Sequence, residues 1–237
     1  MTEWSKITPA LTAIGFRGAR DAARDLARVH VRMSTDELKE YMKLLVFARK
    51  YLEWGAGGST VVASWVASYL GRPEVRVVDS SKGFLGSLKK ANTHIDRAER
   101  QGLLRMQYGN IGALSEWGNP SGWTNRTRPV RLQQSLNYVE RNHNETCCFD
   151  LVLVDGRFRS ACLMHAFSLI SGPRAIVMVH DSPRYINFAR KYYRVMHTVD
   201  TLSIMRPRSE FLTASARTTA EWNATYLNAL DDRQRRI

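Results

Sequence analysis

Apolar and polar positions along this chain follow two different periods. Short apolar runs recur, and most of them precede a stretch in which apolar residues return every three or four positions, as in an amphipathic helix. Strands that alternate with helices in this way predict a doubly wound α/β fold, with a mostly parallel seven-stranded sheet and helices on both faces. The predicted strands are 51–54, 74–79, 103–108, 149–155, 175–181 and one or two within 195–205. The predicted helices between them are 59–70, 82–101, 129–141 and 160–170.

The same pattern divides the chain into parts of different character. An N-terminal helical extension comes first, with one amphipathic helix predicted over 20–31 and a second that begins at a capping box, Ser34 to Glu37. The alternating region follows, broken once by an insertion of a length typical of lids and acceptor-binding loops. A polar C-terminal tail with a weak helix at 220–230 ends the chain. The predicted bounds are 1–50 for the extension, 51–206 for the ligand-binding domain, 109–148 for the insertion within it, and 207–237 for the tail.

Composition adds a strong positive charge. Among 237 residues, 35 Lys and Arg face 22 Asp and Glu, for a net charge of +13. Anionic partners such as nucleic acid or phosphorylated substrates are therefore plausible, although the basic residues are spread along the chain and also fit a solvated basic surface. No apolar run approaches the roughly 20 residues of a transmembrane helix, and no signal peptide is recognisable. Three cysteines form no disulfide framework, so we expect a cytoplasmic protein without a transmembrane segment.

A glycine-rich turn follows the first predicted strand. Between a strand and a helix, Gly55-Ala56-Gly57-Gly58 can present free backbone N–H groups to a nucleotide. Asp79 closes the second strand 24 residues after Gly55, which is the distance from such a turn to a ribose-binding carboxylate in a βαβ unit. A dinucleotide-binding turn would continue to a glycine where Thr60 stands, and Glu53 would repel a pyrophosphate. A ligand that carries an ammonium and a sulfonium group suits this turn better.

These residues resemble the first motif of the class I S-adenosylmethionine-dependent methyltransferases, in which an acidic residue precedes Gly-x-Gly. The resemblance covers about residues 50–206 and depends on the turn, Asp79, Asn110 after the third strand and Asp155 after the fourth. It implies that Glu53 to Gly58 line the methionine part, that Asp79 holds the ribose and that Asn110–Ile111 border the adenine. Ser59 replaces the family's usual third glycine. The cofactor-binding residues expected from the resemblance are Glu53, Gly55, Ala56, Gly57, Gly58, Ser59, Thr60, Asp79, Ser80, Asn110, Ile111 and Asp155.

Two carboxylates are expected beside this cofactor, because Asp155 and Asp181 end neighbouring strands. The pair resembles metal-dependent O-methyltransferases, in which acidic residues at these places hold Mg²⁺ against the acceptor hydroxyl. Ser182 stands where that family has its third ligand. The alternative needs no metal: His180 is the general base, oriented by a carboxylate, and Asp155 positions the acceptor. Asp181 could also simply cap the next helix before Pro183.

The acceptor site is the least defined part of the sequence. Arg157 and Arg159 could clamp an anionic or polyhydroxylated acceptor or pair with carboxylates, and Trp117 and Trp123 could stack on a sugar or base or pack on the core. We expect an O-methyltransferase for a sugar, glycan or other small polar acceptor. The basic charge favours RNA or nucleic-acid methylation as the alternative, although no Asn-Pro-Pro-Tyr signature follows the fourth strand. A non-catalytic nucleotide-binding module is the third hypothesis.

Overall fold

The computed structural model describes residue 26 and residues 29–142 and 148–231. Its centre is a seven-stranded sheet in the order β3-β2-β1-β4-β5-β7-β6. Strands β1 to β5 pair in parallel, whereas β7 is antiparallel to both of its neighbours. The sheet is therefore mixed and not purely parallel, because the tight connection between the last two strands forms a hairpin. The strands are β1 (Lys50–Trp54), β2 (Glu74–Asp79), β3 (Leu104–Tyr108), β4 (Leu151–Val154), β5 (Ile176–Val179), β6 (Tyr193–Val199) and β7 (Leu202–Pro207).

Helices cover both faces of this sheet, as the sequence predicts. Alternate residues of the central strands enter two separate cores: Tyr51 lies in one, and Leu52 and Trp54 lie in the other. Helices α1 and α2 contribute to the first core, and α5 to α8 contribute to the second. The helices are α1 (Thr35–Leu45), α2 (Gly58–Leu70), α3 (Lys82–Ala91), α4 (Thr93–Arg100), α5 (Arg128–Val139), α6 (Arg159–Ala166), α7 (Ile186–Tyr192) and α8 (Ala220–Leu230). Within the described parts of the chain, no helix is long and apolar enough to cross a bilayer.

The helix predicted over 82–101 is two helices. Asn92 separates them with an extended backbone (φ −135°, ψ 109°), and its side-chain Nδ2 donates to the Leu88 carbonyl at 2.9 Å. Asn favours such local side-chain to backbone bonds over a helix interior. The change of direction places Ile95 and Ala98 of α4 in the first core.

The chain outside 51–206 is also packed onto the sheet. The predicted capping box of α1 is confirmed, because Glu37 N donates to Ser34 Oγ and Ser34 N donates to Glu37 Oε2. The helix predicted over 20–31 lies largely outside the described residues, and residues 29–31 within it have no regular secondary structure. Helix α8 has the predicted bounds, but Trp222 and Leu230 are buried in the second core. The C-terminal segment is therefore part of the packed domain.

Candidate active site

The carboxyl ends of the parallel strands open into one cleft with a volume of about 1940 Å³. Doubly wound sheets bind their ligands at this edge, where loops from neighbouring strands diverge. The walls come from the glycine turn, the ends of β2, β4 and β5, the segment 29–33 before α1, and the loop 114–124 after β3. Most of the predicted site residues therefore meet in one place.

Two glycines of the turn are required by close backbone contacts. Gly55 has φ +101°, and a Cβ there would lie 2.6 Å from the backbone nitrogen of Gly156, in the turn after β4. A Cβ at Gly58 would lie 2.7 Å from Cα of Val31, since the segment before α1 crosses the start of α2 at this point. Gly57 has open space around it. The turn is thus held from two sides and keeps one glycine open to the cleft.

Glu53 lies beneath the turn and not in the cleft wall. It is fully buried, and its carboxylate accepts hydrogen bonds from the Ser59 hydroxyl and, at 3.0 Å, from Thr60 Oγ1. Thr60 Oγ1 in turn accepts the backbone N–H of Gly57 at 3.0 Å. Burial raises the pKa of Glu53 to about 8, although the bonds from Ser59 and Thr60 oppose the shift. The carboxylate expected to contact the methionine part instead shapes the turn from below, and Thr60 likewise does not line the cleft.

Asp79 connects the turn after β1 with the turn after β2. Its Oδ2 accepts the backbone N–H of Ala56 at 3.0 Å, and its Oδ1 accepts that of Ser81 at 2.7 Å. Burial raises the pKa of Asp79, and these backbone bonds together with the charge of Arg157 limit the rise. Ser80 lies in the same wall and donates to the carbonyl of Gly118 at 3.3 Å. Both residues line the cleft.

Asn110 and Ile111 differ from the expectation. Neither residue lines the cleft. Ile111 is fully buried in the second core, and Asn110 Oδ1 accepts hydrogen bonds from Tyr108 OH at 3.0 Å and Gly112 N at 2.9 Å. The turn after β3 therefore holds itself together outside the cleft lining. Residues from α3 and from the loop after β3 line the cleft instead: Phe84, Leu88, Asn92, Leu114 and Ser115.

Asp155, His180 and Asp181 form a cluster at the ends of β4 and β5. Their candidate ligand atoms all lie within 4.8 Å of one another. Nδ1 of His180 is 3.1 Å from Asp155 Oδ1, and Nε2 is 3.5 Å from Oε2 of Glu37. Burial lowers the pKa of His180, but the bond to Asp155 and the charges of Asp155, Glu37 and Asp181 outweigh it, so that the pKa is raised. The imidazole therefore stays protonated up to a higher pH than an unperturbed histidine does.

Arg159 holds both carboxylates of this cluster. Its Nη2 lies 3.0 Å from Asp155 Oδ1, and its Nη1 lies 3.0 Å from Asp181 Oδ2. The side chain is only 6% exposed and is stacked 5.3 Å from the ring of Tyr185. Arg159 keeps the pKa of Asp181 low against the effect of burial. Of the two roles that the sequence leaves open for Arg159, carboxylate pairing is the one realised here.

The loop after β3 folds back over the cleft as a short hairpin. Leu114 bridges to Pro120, and Asn119 Oδ1 accepts a hydrogen bond from Arg157 Nη1. Trp117, at the tip, is 63% exposed and has φ +61°, and the guanidinium of Arg32 lies 4.0 Å above its ring. The hairpin and the segment before α1 therefore meet across the opening of the cleft.

Trp123 lies deeper, at the base of the same loop. Its ring is 6% exposed and stacks on Phe158 with 5.2 Å between the centroids. Its indole Nε1 is buried without a hydrogen-bond partner among the described residues. Trp123 therefore lines the cleft with a ring that is packed on Phe158.

Three further residues with contacts at this site, Glu37, Arg32 and Tyr138, are also absent from the sequence prediction. Glu37 reaches His180 from α1, Arg32 stacks on Trp117, and Tyr138 OH accepts the backbone N–H of Arg157 at 3.2 Å. Each contact joins distant parts of the chain. Glu37 carried a local signal, the capping box, but that motif explains only its bond to Ser34.

No model of a known protein family and no curated protein matches this sequence. Among solved structures, a methyltransferase-like protein from Silicibacter pomeroyi is 20% identical, with a TM-score of 0.65 over 87% of this chain and 99% of that chain. An O-methyltransferase from Bacillus cereus, in complex with SAH, is 13% identical, with a TM-score of 0.48 over 86% of this chain and 91% of that chain. The likeness to the first of these proteins and the strand order show that the chain has a class I methyltransferase fold.

Proposed function

We propose that this chain is an S-adenosylmethionine-dependent methyltransferase that acts on a hydroxyl oxygen of a small polar acceptor, such as a sugar or glycan. The observation that carries the proposal is the single cleft on which the glycine turn, Asp79 and the cluster of Asp155, His180 and Asp181 converge. The class I methyltransferase fold supports it, because ligands of such sheets bind at this edge.

The residues of the cleft fit this cofactor. Gly57 leaves room for a ligand to approach the backbone of the turn. Each carboxylate oxygen of Asp79 accepts one backbone N–H and retains a lone pair for a ribose hydroxyl. Asp79 and Ser80 would hold the ribose, and Gly55 to Gly57 would lie along the methionine part. Glu53 would support the turn without touching the ligand.

Binding and orientation are the main contributions of the protein. When bound, S-adenosylmethionine supplies an electrophilic methyl group, whose bond to sulfur breaks with the electron pair left on sulfur as the acceptor oxygen bonds to carbon. Asp181 accepts the hydroxyl proton, since its side chain is 41% exposed to the cleft and its low pKa keeps it ionised. His180 lies between Asp155 and Glu37 and positions Asp155. The alternative from the sequence, His180 as general base, requires the imidazole to be neutral.

The acceptor is expected between the cluster and the hairpin. Trp117 presents an exposed ring, Trp123 lines the wall below it, and Arg157 lies in the wall and bonds to Asn119. An aromatic face with donors at its edge suits a sugar or another polyhydroxylated ring. These residues support a polar acceptor.

A test of the cofactor site uses two glycines that both have open space around them. Gly57→Leu places a side chain in the cleft, whereas Gly86→Leu places the same side chain on an exposed face of α3. We expect S-adenosylhomocysteine binding by calorimetry in the wild type and in Gly86→Leu, and its loss in Gly57→Leu with unchanged thermal stability. Asp79→Ala should weaken binding by roughly 10- to 100-fold, as one or two hydrogen bonds to a charged group are lost.

The outcomes separate the hypotheses. A wild-type protein that does not bind S-adenosylhomocysteine would rule out the proposal. Binding of S-adenosylhomocysteine by the wild type without turnover of any hydroxyl acceptor would support the non-catalytic binding module instead.

A second candidate function, nucleic-acid methylation, is favoured by one feature of the surface. Exposed cations surround the start of β6 and the end of β7, where Arg194 and Arg206 are direct cross-strand partners. Like charges opposite each other destabilise a sheet, so such a pair suits an anionic partner. We call this surface the basic edge; its members are Arg190, Lys191, Arg194, Arg206 and Arg208.

A further inference from the structure

The guanidinium of Arg159 uses each of its three nitrogens. Nε donates to the carbonyl of Gly156 at 3.1 Å, Nη2 donates to the carbonyl of Asp155 at 3.1 Å, and Nη1 donates to the carbonyl of His180. Nη2 and Nη1 also lie 3.0 Å from the carboxylates of Asp155 and Asp181. The side chain is therefore fixed by the turns after β4 and β5 and has no other position to adopt without breaking several bonds.

This arrangement conflicts with a divalent ion at the same carboxylates. Asp155, His180 and Asp181 have the spacing of a ligand set, and carboxylate oxygens are what Mg²⁺ and Mn²⁺ prefer. One oxygen of each carboxylate, however, already faces the guanidinium. An ion bound between them would lie against a positive charge that is tethered to the chain and buried, where repulsion is weakly screened.

We propose that Arg159 takes the place of a divalent cation in this site, so that the chain transfers its methyl group without a metal. Arg159 neutralises the two carboxylates and holds the ends of β4 and β5 in register, which are the structural roles that a bound ion would have. It is a positioning residue and does not touch the acceptor. The statement about methyl transfer rests on the proposed function, whereas the statement about metal binding does not.

The consequence for the acceptor follows from the missing Lewis acid. A metal ion would lower the pKa of the acceptor hydroxyl, and a guanidinium bound to two carboxylates does so far less. The hydroxyl proton must then pass directly to a side chain as the oxygen–carbon bond forms. Acceptors whose hydroxyl is acidic, such as phenols, should therefore react faster than aliphatic alcohols of similar shape.

Manganese titration with detection by electron paramagnetic resonance tests the proposal without any acceptor. We expect no stoichiometric binding in the wild type at about 1 mM Mn²⁺. In Arg159→Met, the freed carboxylates should bind one Mn²⁺ with an affinity roughly tenfold tighter or more, and Asp181→Asn in that background should abolish the gain. Arg131→Met is the matched control, because Arg131 pairs with Asp231 through two bonds of 2.7 and 3.2 Å far from the cluster.

The opposite results are equally clear. One Mn²⁺ bound by the wild type and lost in Asp155→Asn or Asp181→Asn would overturn the inference, as would an Arg159→Met protein that is folded by circular dichroism but gains no binding. If Arg159→Met does not fold, Arg159→Lys is the second variant. Its single ammonium cannot contact both carboxylates in the same way, so we expect a smaller gain in Mn²⁺ affinity.

Methyl transfer by the wild type should persist in EDTA. Absence of any transfer would count against the proposed function, whereas a wild-type metal site would count against this inference alone.

Discussion

His180 lies between two carboxylates, and this position decides which group can take a proton from the acceptor. Asp155 contacts its Nδ1 at 3.1 Å, and Glu37 approaches its Nε2 at 3.5 Å. A base must be unprotonated at the working pH, yet these neighbours raise the pKa of His180. Asp181 is more exposed and has a lowered pKa. At the scale of single residues, the geometry thus favours a carboxylate as the proton acceptor and the histidine as its support.

The two roles predict different pH profiles. With Asp181 as the proton acceptor, kcat should be level above the low pKa of Asp181 and fall only in acid; with His180 as the base, kcat should rise with pH through the raised pKa of His180. We expect Asp181→Asn to lower kcat by about 10²- to 10⁴-fold while S-adenosylhomocysteine affinity stays unchanged. His180→Gln should lower kcat less and leave the profile level. An alkaline rise in the wild type that His180→Gln removes would contradict this assignment.

Glu53 gives a second pH prediction, this time for stability. The folded protein raises the pKa of Glu53 from 4.5 to about 8, so between these values the native state holds a proton that the unfolded chain has lost. The free energy of unfolding should therefore fall as pH rises through this window, by up to about 1.4 kcal/mol per pH unit. Glu53→Gln removes the titrating group and should flatten this part of the profile. Urea unfolding of both proteins across the window measures the difference, and parallel profiles would contradict the prediction.

What the sequence reveals at residue scale depends on whether the partner is local. The glycine turn, Asp79, Asp155 and the pair His180–Asp181 were found because each ends a recognisable strand. The roles of Glu53 and Arg159 were harder to predict, because they depend on which groups surround them after folding. Glu53 meets hydroxyls in the next helix, and Arg159 meets a carboxylate on a neighbouring strand. Residue type and spacing do not contain that information.

At the scale of elements, the segment before α1 is the part of the site that most depends on tight packing. Val31 crosses the start of α2 so closely that Gly58 has no room for a Cβ. Gly58→Ala should displace this segment, lower the free energy of unfolding by about 1–3 kcal/mol as overpacking does, and weaken S-adenosylhomocysteine binding. Gly57→Ala adds the same methyl group where nothing lies within 4 Å and should change stability little. Equal unfolding free energies for the two variants would show that the segment does not hold this position.

The elements themselves were largely predictable. Strand β2 and helix α8 have the bounds predicted from the sequence, because the spacing of apolar residues differs between a strand and a helix. The sequence does not predict the division between α3 and α4. The helical spacing of apolar residues continues across Asn92, and only the backbone angles of Asn92 interrupt the helix. The position of β7 between β5 and β6 depends on which strands form hydrogen bonds with each other. The alternation of residues within one strand does not contain that information.

At the scale of the whole molecule, part of the positive charge of the chain is concentrated on the basic edge. The five exposed cations of the basic edge lie on the last two strands and the end of α7, and Arg208 Nε donates to the carbonyl of Arg190 at 3.3 Å, which joins the two groups. Among the described residues, Glu210 contacts this surface at Arg208, with 4.0 Å between the charged atoms. Helix α7 also reaches the cleft through Phe188. A polyanion on the basic edge would therefore lie near the opening of the candidate active site.

This location allows a direct test between a small acceptor and a nucleic acid. We expect weak, sequence-independent RNA binding that falls steeply with salt, with a slope that decreases by about 0.7–0.9 for each phosphate contact removed. Arg194→Gln combined with Arg206→Gln should reduce that slope while S-adenosylhomocysteine binding and transfer to a small hydroxyl acceptor remain intact. The control, Lys39→Gln combined with Lys43→Gln, removes the same charge where Asp36 and Glu40 already neutralise it, and should leave the slope nearly unchanged. Methyl groups incorporated into RNA by the wild type, and lost in the basic-edge variant alone, would replace the small acceptor with a nucleic acid as the substrate of this cleft.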